Sequence, residues 1–208
     1  MSTTAPARRP RRDAAANRAG ILSAAATTIA HDPHASIDTI ARAAGLSRRA
    51  LYGHFDDRDA LLHELIMAGA PRFNAIAATV DESDPAPVAL ARLTSRLWTE
   101  AAHVQVAAAI ALDETHVEST AAALAPLRRT VAAVVRRGQD DGTIRTDLTA
   151  ATVARLVEET ARTVVTRLDA SSPEAGTLAV RAVLSIAGLS WREADAVLSS
   201  LPPSPQEP

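Results

Sequence analysis

The segment IDTIARAAGLSRRALYGHF, residues 37–55, admits few folds. Apolar side chains recur at Ile37, Ile40, Ala41 and Ala44, and again at Leu51 and Phe55, at the three- and four-residue spacing of one helix face. Gly45 separates the two runs, and Leu46 and Ser47 follow it. Neither run is long enough to be a stable helix in isolation, so both must pack. Glycine enters a left-handed conformation at little cost, which suits a helix end. Ser47 can cap the second helix with its hydroxyl. Alanines at 41, 43 and 44 allow close approach. The expectation is two short helices crossing at a glycine turn, with Leu46 as an apolar plug.

The rest of the chain supports helix throughout. Of 208 residues 47% are apolar but only 2% are aromatic, so Ala, Leu, Val and Ile must fill the core. Glycine is sparse at 8 residues, which with abundant Ala, Leu, Arg and Glu favours helix over sheet. There is no cysteine, which excludes disulfides, thiolate metal sites and thiol nucleophiles. No apolar run approaches the roughly 18 residues that span a bilayer, and the Arg-rich start lacks the apolar stretch of a signal peptide. A cytoplasmic protein is expected. Residues 1–12 read as a disordered basic arm, 13–56 as one helical domain, 57–200 as a second whose first helix is 57–80, and 201–208 as a disordered Pro-rich tail. Further helices are expected at 86–102, 104–114, 117–140, 149–168, 174–188 and 191–200, with a disturbance at Pro71.

Charge is unevenly spread. Residues 1–55 hold eight arginines against three aspartates, a net of +5, whereas the remainder holds fourteen basic against twenty-one acidic groups, a net of −7. A basic first quarter on an acidic body suits contact with a polyanion. The face of the second short helix opposite Leu51 and Phe55 displays Arg48, Arg49 and Tyr52. Two guanidinium groups at the start of such a helix suit guanine edges or phosphates in a major groove. Arg58, in the first turn of the next helix, opposes the helix dipole there, which points to an external anion. The competing interpretation is an ordinary helical hairpin with a solvated arginine pair.

The stretches ILSAAATTIA and SIDTIARAAGLSRRALYGHFDDRDALLHELI resemble the DNA-binding domain of TetR-family transcriptional regulators. The LYxHF core with its following Asp cap and leucine-rich helix is the specific part, and the resemblance covers about residues 15–67. It implies an all-α fold, an N-terminal three-helix helix-turn-helix domain plus a C-terminal helical regulatory and dimerisation domain. By position it implies base reading by Arg48, Arg49 and Ala50. It also implies phosphate or groove contact by Tyr52, His54 and Arg58, and backbone contact at Ser36 beside Ile37. Arg49 stands where a small residue is frequent, and Gly53 where an aromatic or histidine is. The implied function is a sequence-specific DNA-binding transcriptional regulator, a repressor released from its operator by a small-molecule effector. The implied partners are operator DNA and a second copy of the chain, joined through helices 149–168 and 174–188. Ala154, Leu156, Val157, Ala161, Val164, Val165 and Leu168, with Leu178, Ala179, Ala182, Val183, Ile186 and Ala187, are candidates for that interface or for internal core.

An effector site could draw on Trp98, His103, Ile110, Asp113, Glu114 and His116, which gather mid-chain. A metal held by His103, Asp113 and His116 is conceivable, but the spacing matches no metal motif, and neither metal nor cofactor is expected. A solvated polar face accounts for the same residues. An enzyme built on Asp113, Glu114 and His116 lacks any supporting phosphate loop or nucleophile motif. A non-specific DNA-architectural protein remains the alternative within the DNA-binding class.

Overall fold

A computed structural model describes the backbone from Arg9 to Leu201 and the side chains of residues 17–104 and 106–201. All regular structure among these residues is helical, in eleven helices. Helix α1 spans Arg9–His31, so it begins four residues before the expected cap at Asp13, and residues 9–12 are helical rather than part of a disordered arm. Pro10 does not prevent this, because a first-turn residue has no intrahelical use for its N–H. The expectations for residues 1–8 and 202–208 lie outside the described residues.

The chain divides into two compact units, residues 1–68 and 69–208. In the first, α1 is followed by α2 (Ile37–Ala43), α3 (Arg48–Tyr52) and the beginning of α4 (Arg58–Ala77). Ile21, Ala25 and Ile29 form the buried stripe of α1 at four-residue steps. They share the interior with Ile40 and Ala41 of α2, Leu51 of α3, Phe55, and Leu61 and Leu62 of α4. Each fully buried Ile or Leu contributes about 1.5–3 kcal/mol of hydrophobic free energy. Helix α4 runs through Pro71, although proline has no N–H to give the Met67 carbonyl. The expected disturbance there does not interrupt the helix.

The second unit holds α5 (Ala86–His103), α6 (Gln105–Ala111), α7 (Val117–Ala123), α8 (Ala125–Asp140), α9 (Ala150–Arg167), α10 (Ala175–Ile186) and α11 (Trp191–Ser200). Helix α10 packs against α5, α9 and α11, and α8 packs against α5, α7 and α9. The core between them is Ala, Val, Leu and Ile, as the scarcity of aromatics requires. Small residues let the helices approach. A Cβ at Gly176 of α10 would lie 2.9 Å from the Trp98 ring of α5, so glycine is what admits the indole.

The expected single helix over 117–140 is two helices, broken at Leu124 (φ −92°, ψ 14°). Pro126 causes the break, because its ring would clash with the carbonyl four residues back and it cannot donate there. Asn74 closes the gap. Its Nδ2 donates to the Ala123 carbonyl at 3.0 Å, and its Oδ1 accepts from the Leu127 N–H at 3.2 Å. Both orphaned backbone groups of a helix–helix joint thus find one side-chain amide. Asn74→Leu should destabilise the protein by about 1–3 kcal/mol, the cost of stranding those groups. Asn74→Asp, which keeps the acceptor and loses the donor, should fall between. Urea denaturation of the full chain followed by circular dichroism measures both, and a wild-type midpoint for Asn74→Leu would refute the capping role.

Candidate nucleic-acid interface

The turn between α2 and α3 is built by backbone hydrogen bonds. Gly45 adopts φ +69°. Its N–H donates to the Arg42 carbonyl at 3.0 Å, and the Leu46 N–H donates to the Ala41 carbonyl at 2.9 Å. This pair of bonds is the Schellman closure of a helix end, and it needs a residue at positive φ. Ser47 then caps α3, its Oγ accepting the Ala50 N–H at 3.2 Å, as Ser36 caps α2 through the Thr39 N–H at 3.2 Å. The turn and caps fix where α3 starts and which face it shows. Leu51 is fully buried, and Arg48, Arg49, Ala50 and Tyr52 are exposed.

The arginines expected to contact nucleic acid have different surroundings. Arg48 donates from Nη1 to Asp38 Oδ2 of α2 at 3.0 Å, and its guanidinium lies over the Tyr52 ring at 5.5 Å. Arg49 makes no ion pair or side-chain hydrogen bond among the described residues, and it stands exposed beside Arg48. Arg58 is turned onto its own chain, donating from Nη2 to the Pro33 carbonyl at 2.7 Å and from Nε to the Ala35 carbonyl at 3.1 Å. Those carbonyls account for a cation in the first turn of α4 without any external anion. Ser36 is exposed but already bound to the α2 backbone and, at 3.0 Å, to the Thr39 hydroxyl. His54 is half-buried. Gly53 has φ −72°, a conformation open to any residue.

Sequence reasoning missed Arg18. From α1 it donates through Nε to Glu64 Oε1 at 2.6 Å and through Nη2 to Glu64 Oε2, while Nη1 donates to the His54 carbonyl at 2.7 Å. Its guanidinium also lies 4.4 Å from the centre of the Phe55 ring. One side chain therefore joins α1, the segment after α3, and α4. The available signal was an arginine and a glutamate on two amphipathic helices, and nothing in their separation of 46 residues announces a pair. The hydrogen bonds from Arg18 hold the Glu64 carboxyl below its ordinary range, burial opposes them, and the charge of the guanidinium adds to them.

In the second unit, Trp98 is half-buried against Gly176. His103 is exposed and donates to its own helix, Nδ1 to the Thr99 carbonyl at 2.5 Å. Ile110 is half-buried in α6, and Glu114 is exposed. Asp113 and His116 do come together. Asp113 Oδ1 accepts the His116 backbone N–H at 2.9 Å and faces His116 Nδ1 at 2.9 Å, with His116 buried. Burial pushes the Asp113 carboxyl up, but its bonds to the His116 side chain and backbone outweigh this and leave it below its ordinary range. An ionised carboxylate only accepts, so Nδ1 carries the proton. The pair fastens the entrance to α7. Among the described residues no three His, Asp or Glu side chains converge as a metal would require, so His103, Asp113 and His116 form no such set.

The candidate interface residues on α9 and α10 separate into two groups. Ala154, Val157, Val164, Ala179, Val183 and Ala187 are buried within the chain's own core. Ala161, Val165, Leu168, Ala182 and Ile186 are half-buried. Leu156 and Leu178, at 37% and 44% exposure, are the large apolar side chains that these helices leave open.

Residues 21–65 match the family described as bacterial regulatory proteins, tetR family. No curated protein matches the chain by sequence. Several solved structures share its fold. A TetR-family transcriptional regulator, PfmR of Thermus thermophilus, superposes with a TM-score of 0.65 at 21% identity, covering 80% of this chain and 96% of its own. The regulator FadR of Bacillus subtilis, solved with stearoyl-CoA, gives 0.67 at 16% identity over 82% and 97%. RolR, solved with resorcinol, gives 0.68 at 16% identity over 93% and 98%. No helix among the described residues is long and apolar enough to cross a membrane.

The Arg18–Glu64 pair has a pH signature. A carboxyl whose folded pKa is depressed contributes stability above its unfolded pKa, near 4.3, and loses it as pH falls through the folded value. The Arg18 and Glu64 side chains are 41% and 31% exposed, so solvent screening discounts the contribution to about 1 kcal/mol. Glu64→Gln should lower the stability of the first unit by about that amount at pH 7 and shrink the difference from wild type as pH falls below 4. Thermal melts of both proteins from pH 3 to 7 test this. A constant difference across that range would rule out the ion pair as its source.

Proposed function

We propose that the chain is a TetR-family regulator, a sequence-specific DNA-binding transcriptional repressor released by a small-molecule effector, because residues 21–65 match the tetR family of bacterial regulatory proteins and solved regulators of that family share its fold. The observation that carries this is the presentation of α3. A Schellman turn and a serine cap hold it with Leu51 inward and Arg48, Arg49 and Tyr52 outward. A helix so displayed fits the major groove, with its first residues nearest the bases. Arg49, having no partner among the described residues, is open to a base edge or phosphate. Arg48 is aimed from the same turn. Ala50 adds an apolar contact suited to a thymine methyl. Tyr52 and His54 stand beside the groove, and Ser36 offers its exposed α2 terminus to the backbone. Arg58 serves chiefly to set the 33–35 turn under α2, and its remaining donors suit a phosphate.

Two copies would double the readout, because paired recognition helices engage half-sites a DNA turn apart. Exposed Leu156 and Leu178 on α9 and α10 are the apolar contribution that this reading assigns to the pairing surface. The effector falls to the second unit, as the stearoyl-CoA and resorcinol bound by structural neighbours suggest. Trp98 and the Asp113–His116 turn are the polar and aromatic groups offered there. An effector acts only to the extent that it binds two conformations unequally, so its action must reach α4, which belongs to both units. A cytoplasmic location follows from this role.

The test is fluorescence anisotropy of the full chain on DNA upstream of its own gene and on random duplex. Preference for the former supports a specific regulator, and equal affinity replaces it with a DNA-architectural protein. Arg49→Ala should weaken binding to the preferred site by about tenfold, within the 1–3 kcal/mol carried by a good base contact. Arg58→Ala should weaken both DNAs alike. Unaltered affinity for Arg49→Ala would remove that residue from the interface.

A further inference from the structure

Asp38 is an unexpected presence on a surface that meets a polyanion. It projects from the first turn of α2, and its Oδ2 holds Arg48 Nη1 at 3.0 Å across the glycine turn. Its other oxygen, Oδ1, is buried and accepts no hydrogen bond among the described residues. The ion pair is exposed, at 62% and 46%, so its attraction is worth little as stability. A carboxylate near the phosphates also repels them. Geometry is what the pair supplies. The guanidinium of Arg48 is fixed on one edge by Asp38 and on one face by the Tyr52 ring at 5.5 Å. An unrestrained arginine carries about 2 kcal/mol of rotamer entropy and can swing to any nearby phosphate. One held at two points loses less on meeting a base edge and cannot easily swing away. Its remaining N–H donors still suffice for two parallel hydrogen bonds to one base.

We infer that Asp38 is a positioning residue for base recognition: it holds Arg48 in the orientation that reads a base edge and denies it to the phosphate backbone. The inference rests on the DNA-binding role proposed above. It divides the labour of α3, with Arg48 contributing to discrimination and Arg49 left open to either kind of contact. Asp38 acts through Arg48 and touches no base itself.

The experiment uses the full chain and the duplex sites it enriches from a randomised library. Absence of any enriched site for the wild-type protein would overturn the DNA-binding reading itself. Given an enriched site, affinities for that site and for random duplex are measured over a series of salt concentrations for wild type, Asp38→Asn, Arg48→Ala and the double variant. Asp38→Asn should lower the ratio of preferred to random affinity by roughly tenfold, the scale of one good base contact. It should also steepen the salt dependence on random duplex by about one phosphate equivalent, as Arg48 becomes free to find one. Asp38→Glu should restore part of the ratio. In the Arg48→Ala background, Asp38→Asn should change the ratio no further, because the effect passes through Arg48. An unchanged ratio for Asp38→Asn overturns the proposal, as does a uniform gain on both DNAs, which marks Asp38 as mere charge repulsion. A full effect persisting without Arg48 overturns it too, since Asp38 would then contact DNA directly. Thermal melting of each variant identifies a loss of folding. A variant that melts below the assay temperature is replaced by Asp38→Ser, read by the same criteria.

Discussion

The guanidinium of Arg18 satisfies three groups that would otherwise have to be held separately: both oxygens of Glu64, the carbonyl of His54, and the face of Phe55. The first unit is small, and its helices α2 and α3 have seven and five residues. Neither is self-supporting, so their orientation depends on what α1 and α4 impose. Leu51 and Phe55 supply the hydrophobic part of that attachment, and Arg18 supplies its direction. Hydrophobic burial is nearly isotropic, whereas a forked guanidinium on a carboxylate and a carbonyl is not. The surface that α3 presents is in this sense set from behind.

Four arginines of this unit carry the same charge and do four different things. Arg18 is internal bracing. Arg58 ties the start of α4 to the carbonyls of Pro33 and Ala35. Arg48 is held between Asp38 and Tyr52, and Arg49 stands open among the described residues. Counting basic residues gives the polarity of a surface but not this division. The division follows from which acceptors each guanidinium can reach once the turn at Gly45 is closed. This face therefore shows one guanidinium held by its neighbours and one without a partner among the described residues.

The second unit solves a different problem, that of building a core almost without aromatic side chains. Its helices approach through alanine and glycine, as where Trp98 lies on Gly176. Where proline breaks the run between α7 and α8, Asn74 supplies the two missing hydrogen bonds from a helix about fifty residues earlier in the chain. The Asp113–His116 pair performs the same service locally at the start of α7. Both are polar side chains bound to the backbone of helix ends. For Asp113 and His116 that structural duty is the one the geometry shows.

Much of this was legible in the sequence. The positive-φ position at Gly45, the serine caps, the inward Leu51 and Phe55 and the outward Arg48 and Arg49 are all local consequences of residue type and spacing, operating over one or two helical turns. The helix limits were likewise readable to within a few residues, except where a proline intervened: Pro126 splits a run that periodicity joins, and Pro10 sits harmlessly inside a helix that was expected to start later. What tertiary structure alone decided are the pairings across long separations. Arg18 with Glu64, Asn74 with the α7–α8 joint, and Arg58 with the 33–35 carbonyls depend on which helix faces meet, and a periodic pattern specifies a face without naming its partner. For the same reason the apolar positions of α9 and α10 could be assigned from the sequence to either an interface or the core, and only packing separated the buried Val157 and Val183 from the open Leu156 and Leu178. The helix-turn-helix was fixed by local stereochemistry; the placement of Arg48 was fixed by Asp38, which lies across the turn from it.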